Sequence, residues 1–183
     1  VFRHYEILLM QSGEDAFRIA RLGAPPEKIQ ITGNIKFDRD FAGKQADEAR
    51  VRDLEEGLGL GGSAAPLIVA GSTHAGEEAV LLEVLRRLRQ VPPLENTRML
   101  LAPRHPERFD EVARVTEQCG FRVRRRTGKH GPAQGEGVLL LDTVGELAAA
   151  YRFATVAFVG GTLKRHGGHS ILEPALFSKP IVI

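Results

Sequence analysis

The sequence predicts an α/β fold in which a doubly wound parallel β-sheet is covered by helices on both faces. Three observations predict it. Apolar runs too short for helices alternate with stretches of helical length, the alternation repeats four times from Leu67 onward, and Gly, Pro, Ser, Thr, Asp or His fills each strand-to-helix joint. Units of this kind join parallel strands by right-handed crossovers, so every strand-to-helix loop falls on one edge of the sheet, where ligands bind.

In chain order, Ile7-Leu-Leu-Met-Gln11 suits a buried strand. Ser12-Gly-Glu-Asp15 then matches a capping box, and Ala16, Phe17, Ile19, Ala20 and Leu22 give a helical face that Gly23 ends. Ile29-Gln-Ile-Thr32 is the next strand and Gly33-Asn34 a turn, followed by Ile35-Lys-Phe-Asp38. Residues 39–66 are the best linker candidate, with a charged helical segment over 44–58 and a small-residue loop, Gly59-Leu-Gly-Gly-Ser-Ala-Ala-Pro66.

The four units follow. Leu67-Ile-Val-Ala70 leads through Gly71-Ser-Thr-His-Ala-Gly76 to a helix from Glu77 to about Arg89. Arg98-Met-Leu-Leu-Ala102 leads through Pro103-Arg-His105 to a helix over 106–119. Val138-Leu-Leu-Leu141 leads to a helix starting at Val144, with Thr143 and Glu146 as its capping box. The strand over 155–159 leads through Gly160-Gly-Thr162 and Gly167-Gly-His-Ser-Ile-Leu-Glu173 to a helix after Ser170, and 121–126 is one extra strand.

Composition sets bounds on this reading. The 183 residues suffice for a large core, and the composition is that of an ordinary globular protein. A formal net charge of +2 is too near neutral to argue for nucleic acid, which is set aside as a partner. The single Cys119 cannot form an internal disulfide, and no Cys/His cluster suggests a metal site. No apolar run approaches the roughly 18 residues that a spanning helix needs, so a soluble stretch is expected. It opens without Met and closes inside the apolar run Pro180-Ile-Val-Ile183, which reads as a fragment of a longer chain.

Chemistry concentrates in the loops. Gly71-Ser-Thr-His-Ala-Gly-Glu-Glu78 either seats a phosphate on hydroxyls and N–H groups or is a capped helix start whose acids favour the dipole; it is not a Walker loop. In Pro103-Arg-His-Pro106, Pro106 suits the first helical position and presents Arg104 and His105 at the ligand edge; forked hydrogen bonding to phosphate or carboxylate favours a functional Arg104. His105 reads equally well as a cap or core residue. Glu173 either accepts both hydroxyls of a ribose or closes a capping box with Ser170. The basic run Arg122-Val-Arg-Arg-Arg-Thr-Gly-Lys-His130 reads as a solvated face, with weak contact to anionic lipid headgroups as the sharper alternative.

Taken together, Thr32-Gly-Asn-Ile-Lys-Phe-Asp38, Gly71-Ser-Thr-His-Ala-Gly-Glu-Glu78, Pro103-Arg-His-Pro-Glu-Arg-Phe109, Asp142-Thr-Val-Gly-Glu-Leu147 and Phe158-Val-Gly-Gly-Thr162 with Gly167-Gly-His-Ser-Ile-Leu-Glu-Pro174 resemble the 3-deoxy-D-manno-octulosonic acid (Kdo) transferase family. The motifs are ordered and span nearly the whole chain. The resemblance implies a GT-B glycosyltransferase of two Rossmann-like domains, a CMP-Kdo donor, the lipid A precursor lipid IVA as acceptor, and no cofactor. It divides the chain into 1–40, the end of the amino-terminal domain and the joint; 41–66, a charged helix and linker; and 67–183, the donor-binding domain. Arg104 would hold the donor's phosphate or carboxylate and act in catalysis. Gly160, Gly161 and Thr162 would line the donor's path, with Gly168, His169 and Ser170 near the phosphate and Glu173 at the cytidine ribose. Ser72, Thr73, His74 and His105 would face the same cleft, and Asn34 and Lys36 would lie at the domain joint. The family often has Asn where Ser170 stands; both are cap residues. Its general base and membrane anchor lie in the amino-terminal domain, so the implied site of action is the cytoplasmic face of the bacterial inner membrane, and this stretch is expected to be inactive in transfer by itself. A UDP-sugar epimerase or another GT-B nucleotide-sugar enzyme is the alternative reading.

Overall fold

The computed structural model describes residues 2–34, 48–61, 64–128, 137–164 and 167–183. The chain forms two compact units, Val1–Ala46 and Asp47–Ile183.

In the smaller unit, strands β1 (Leu8–Met10) and β2 (Ile29–Ile31) pair in parallel, Leu8 opposite Ile29, with helix α1 (Gly13–Arg21) between them in sequence. The expected cap forms: the Ser12 hydroxyl accepts the Asp15 N–H at 3.1 Å. The expected helical face is narrower than the sequence suggests. Ala16, Ile19 and Ala20 are half-buried, whereas Phe17 and Leu22 are 63% and 73% exposed, because helical geometry sets them on either flank of that stripe.

The larger unit opens with helix α2 (Glu48–Leu58), which lies in the span read as a linker and buries Val51, Leu54 and Leu58. Strands β3 (Leu67–Thr73), β4 (Arg98–Pro103), β5 (Val123–Arg125), β6 (Val138–Leu140), β7 (Val156–Val159) and β8 (Ile181–Val182) form one parallel sheet in the order β5-β6-β4-β3-β7-β8. The chain runs from β3 to β4 and out to the edge strand β5, returns to β6 between β5 and β4, and then crosses to β7 on the other side of β3. The winding direction therefore reverses between β3 and β7, which is the place where such sheets open a crevice at their carboxyl edge.

Side-chain alternation along the strands divides the core in two. Leu67, Val69, Leu100, Ala102, Leu139, Leu141 and Ala157 face one layer with Leu54, Leu58 and Tyr151. Ala70, Met99, Leu101, Val138, Leu140 and Phe158 face the other, against Leu81, Leu82, Leu85 and Val112. That second layer comes from α3 (Glu77–Leu88) and α4 (Phe109–Gln118), while α5 (Leu147–Tyr151) lies on the first. Two covered faces make this the expected doubly wound sheet. Helix boundaries differ in three places. A 3₁₀ turn, Pro106–Arg108, precedes α4; α5 starts at Leu147 and not Val144, with Thr143 donating to Glu146 ahead of it; and the last helix, α6, covers Leu172–Leu176.

Candidate functional site

The site is built on an irregularity at the end of β3. The pairing of β3 with β4 shifts register between Gly71 and Thr73, and Ser72 sits there at φ 54°, a left-handed conformation that costs a non-glycine residue about 1–2 kcal/mol. The bulge turns Ser72 into a cavity of about 470 Å³ at the carboxyl edge, shared with Arg104, His105, Thr143, Leu147 and Glu173. That volume lies within the range of small-molecule sites. Three strand-to-helix loops and the start of α6 thus converge on one space.

Two arginines four residues apart differ sharply here. Arg104 is exposed at the cavity, and its guanidinium makes no hydrogen bond or ion pair among the described residues. Arg108 is enclosed: it donates to Glu78 at 2.8 and 3.2 Å and to Glu111 at 3.0 and 3.3 Å. Burial works against the Arg108 charge, but the hydrogen bonds to Glu78 and Glu111 outweigh it and raise the guanidinium above its ordinary range. Arg108 is held by protein carboxylates, whereas Arg104 remains available for an anion. His105 beside it lies 3.7 Å from Glu107, an ion-pair distance only when the imidazole is protonated.

Three imidazoles gather next to this space. His74 and His169 approach Nε2 to Nε2 at 2.7 Å, so one nitrogen donates and the other accepts, and the His105 ring meets His74 edge-on at 5.6 Å. This pair ties the loop after β3 to the segment after β7. The glycines make the close approach possible: a Cβ on Gly161 would lie 3.2 Å from Gly168 Cα and His169 Cδ2, and the Gly168 N–H donates to the Gly161 carbonyl at 3.0 Å. Among the described residues no group of three or more His, Cys, Asp or Glu has the geometry to hold a metal ion.

The remaining expected site residues separate into groups. Thr73 is fully buried and gives its hydroxyl to Glu78 at 2.8 Å; it supports the loop from below and does not face the cavity, because it alternates with Ser72 along the strand end. Gly160 is buried against the Ser72 carbonyl, and Thr162 is exposed. Ser170 is also exposed and, among the described residues, its hydroxyl accepts only the Leu172 N–H at 3.4 Å, so the alternative capping box with Glu173 is not built there. Glu173 instead reaches the cavity rim, close enough to act on buried Tyr151, whose phenol is held neutral by burial first and by the Glu173 charge second. Asn34 follows β2 in the smaller unit, half-buried. Lys36 lies outside the described residues.

Three readings of charge change in the folded protein. Glu77 and Glu78, read as dipole partners that would repel an anion, are both buried and fully engaged: Glu77 accepts N–H groups and Glu78 pairs with Arg108. The helix start over 71–78 therefore has a protein carboxylate where a phosphate seat was one of the two readings. The basic run after Phe121 also turns inward. Arg124 donates to the Gly57 carbonyl, Arg125 pairs with Asp142 and Asp110, Arg126 pairs with Asp53 and Glu146, and Arg122 is exposed, while Lys129 and His130 lie outside the described residues. The buried, loop-joining roles of Glu77, Glu78 and Arg108 are what the sequence did not reveal, since Glu at a helix start and Arg in a first turn are commonplace at the surface.

The family model for 3-deoxy-D-manno-octulosonic-acid transferase (kdotransferase) matches residues 1–39. The chain is 38% identical over 176 residues to the 3-deoxy-D-manno-octulosonic acid transferase of Haemophilus influenzae, covering 96% of this chain and 40% of that one. It is 35% identical over 180 residues to the enzyme of that name from Bordetella pertussis, again 96% of this chain and 40% of the other. Among solved structures, the C-terminal CMP-Kdo binding domain of WaaA from Acinetobacter baumannii superposes with a TM-score of 0.58 at 33% identity, covering 73% of this chain and 67% of that one. The chain spans about two fifths of the length of the curated relatives it matches.

Proposed function

The chain belongs to the 3-deoxy-D-manno-octulosonic acid transferase family, and on that premise we propose that its larger unit binds CMP-Kdo for transfer of Kdo to a lipid A precursor such as lipid IVA. The observation that carries this reading is Arg104: a guanidinium without a protein partner among the described residues, at a cavity rimmed on another side by the carboxylate of Glu173. One cation and one acceptor suit the two ends of a cytidine monophosphate, the phosphate at Arg104 and the ribose hydroxyls at Glu173. Thr143 and Ser72 supply hydroxyls between them. The His74–His169 pair and the Gly160–Gly161 turn belong to the same carboxyl edge and border the donor's sugar in this reading.

The proposed reaction is direct. An acceptor hydroxyl attacks the anomeric carbon of Kdo and gives its proton to a general base that this reading places in the amino-terminal domain, the bond from that carbon to the phosphate oxygen breaks, and CMP departs carrying the added negative charge. Arg104 is the residue placed to stabilise that charge as it develops, which is where electrostatic help lowers a barrier. The domain assignment follows the same reading, with the donor unit proposed to include α2. Association with the inner membrane and the acceptor is proposed for the full-length protein; in this chain, among the described residues, no helix is long and apolar enough to cross a membrane.

Isothermal titration with CMP tests the proposal. Wild type is expected to bind CMP in preference to UDP, Glu173→Gln to bind it more weakly, and Arg104→Ala to lose about 10–100-fold in affinity, the worth of one charged hydrogen-bonding pair. Absence of binding by the folded chain, or equal affinity after Arg104→Ala, sinks it.

A further inference from the structure

Glu77 is a fully buried carboxylate at the first position of α3, facing the place where the sheet's winding reverses. Its two oxygens serve two loops. Oε2 accepts the His74 N–H at 2.8 Å, from the loop after β3, and Oε1 accepts the Gly161 N–H at 2.9 Å, from the turn after β7, with a second contact of 3.1 Å between that N–H and Oε2. The backbones press together around it. A Cβ on Gly160 would lie 2.3 Å from the Ser72 carbonyl oxygen and 2.8 Å from Glu77 Oε2. Both oxygens contact the Gly161 N–H, so an amide in place of the carboxylate would set its NH₂ against that N–H whichever way it is turned, whereas the carboxylate accepts at both positions.

We propose that Glu77 is a positioning residue for the donor. It fixes the register of the two loops on either side of the switch point, and so sets Ser72 at the cavity and His74 at His169 before any ligand arrives. The inference rests on the donor-site reading above, and it assigns to a residue that never touches the donor a share of the donor's affinity. Preorganised loops bind without the cost of ordering, so a loosened contact lowers affinity even where the fold survives.

The test uses the 183-residue chain labelled with ¹⁵N, as wild type and as Glu77→Gln. In the variant the amide NH₂ faces one of the two N–H groups. The His74 or Gly161 amide proton is expected to move upfield and exchange faster, amides of β3 and β4 to stay protected, and the dissociation constant for CMP to rise at least tenfold. Should Glu77→Gln fail to fold, Glu77→Asp carries the test: it keeps the acid but is one methylene too short to serve both loops, and the same two changes are expected. CMP binding within twofold of wild type in the folded variant, or unchanged His74 and Gly161 amides, overturns the inference. A wild-type chain that binds no CMP overturns the donor-site reading instead, so the two failures are distinguishable.

Discussion

The guanidinium of Arg108 grips the carboxylate of Glu78 with both prongs, Nη1 donating to Oε1 at 2.8 Å and Nη2 to Oε2 at 3.2 Å, while the side chains are only 12% and 2% exposed. The pair joins the turn before α4 to the first turn of α3 and also receives the Thr73 hydroxyl. It is the foundation on which Arg104, one helical turn earlier in sequence, stands exposed.

Removing one partner of a buried pair strands the other, so Arg108→Ala should destabilise the larger unit by about 3–5 kcal/mol. Arg104→Ala, at an exposed side chain with no partner among the described residues, should stay within about 0.5 kcal/mol of wild type. Urea unfolding followed by circular dichroism compares them. Equal midpoints for the two variants would refute this division into a structural and a ligand-directed arginine.

Asp142 makes stability depend on acid. Burial pushes its carboxyl up, but the Thr127 hydroxyl and backbone N–H and the Arg125 guanidinium outweigh burial and leave it below the ordinary 3.8. A carboxyl lowered in the folded state stabilises it above the unfolded value, and that contribution disappears as pH falls through the folded one. Wild type should therefore lose stability below about pH 4. Asp142→Asn should be weaker at pH 7, by about 1–3 kcal/mol, with a smaller further loss on going to pH 3. Parallel acid profiles for the two proteins would contradict the assignment.

Gly71 exists because of Tyr151. A Cβ at Gly71 would lie 2.0 Å from the Tyr151 hydroxyl and 3.0 Å from Leu147 Cδ1, so Gly71→Ala should cost about 1–3 kcal/mol. Tyr151→Phe removes the nearest atom and should return part of that cost in the double variant. Thermal unfolding of the four proteins gives the coupling, and strict additivity would disprove the clash.

The charged segment before Leu67 should behave as core. Leu54 is completely buried among Leu67, Leu100 and Leu139, so Leu54→Ala should cost about 2–5 kcal/mol. A chain beginning at Leu67, lacking α2, should unfold at a lower urea concentration than one beginning at Asp47. Indistinguishable midpoints would restore the linker reading.

By itself the sequence determined the sheet. Apolar runs such as Leu67-Ile-Val-Ala70 and Val138-Leu-Leu-Leu141, each followed by a polar loop and a helical stretch, specify parallel strands with their loops on one edge, and so brought Ser72, Arg104, His105 and Glu173 to a common place. These are local signals, legible within a dozen residues. Only the tertiary structure decided which polar loop residues face the cavity and which are consumed beneath it. Thr73 and Arg108 went to Glu78, Glu77 to the Gly161 N–H 84 residues away, and Arg125 and Arg126 of the basic run to Asp53, Asp110, Asp142 and Glu146. The physical reason is that a charge is buried only where a distant partner meets it, so its role depends on which loops the fold brings together and not on its neighbours in sequence.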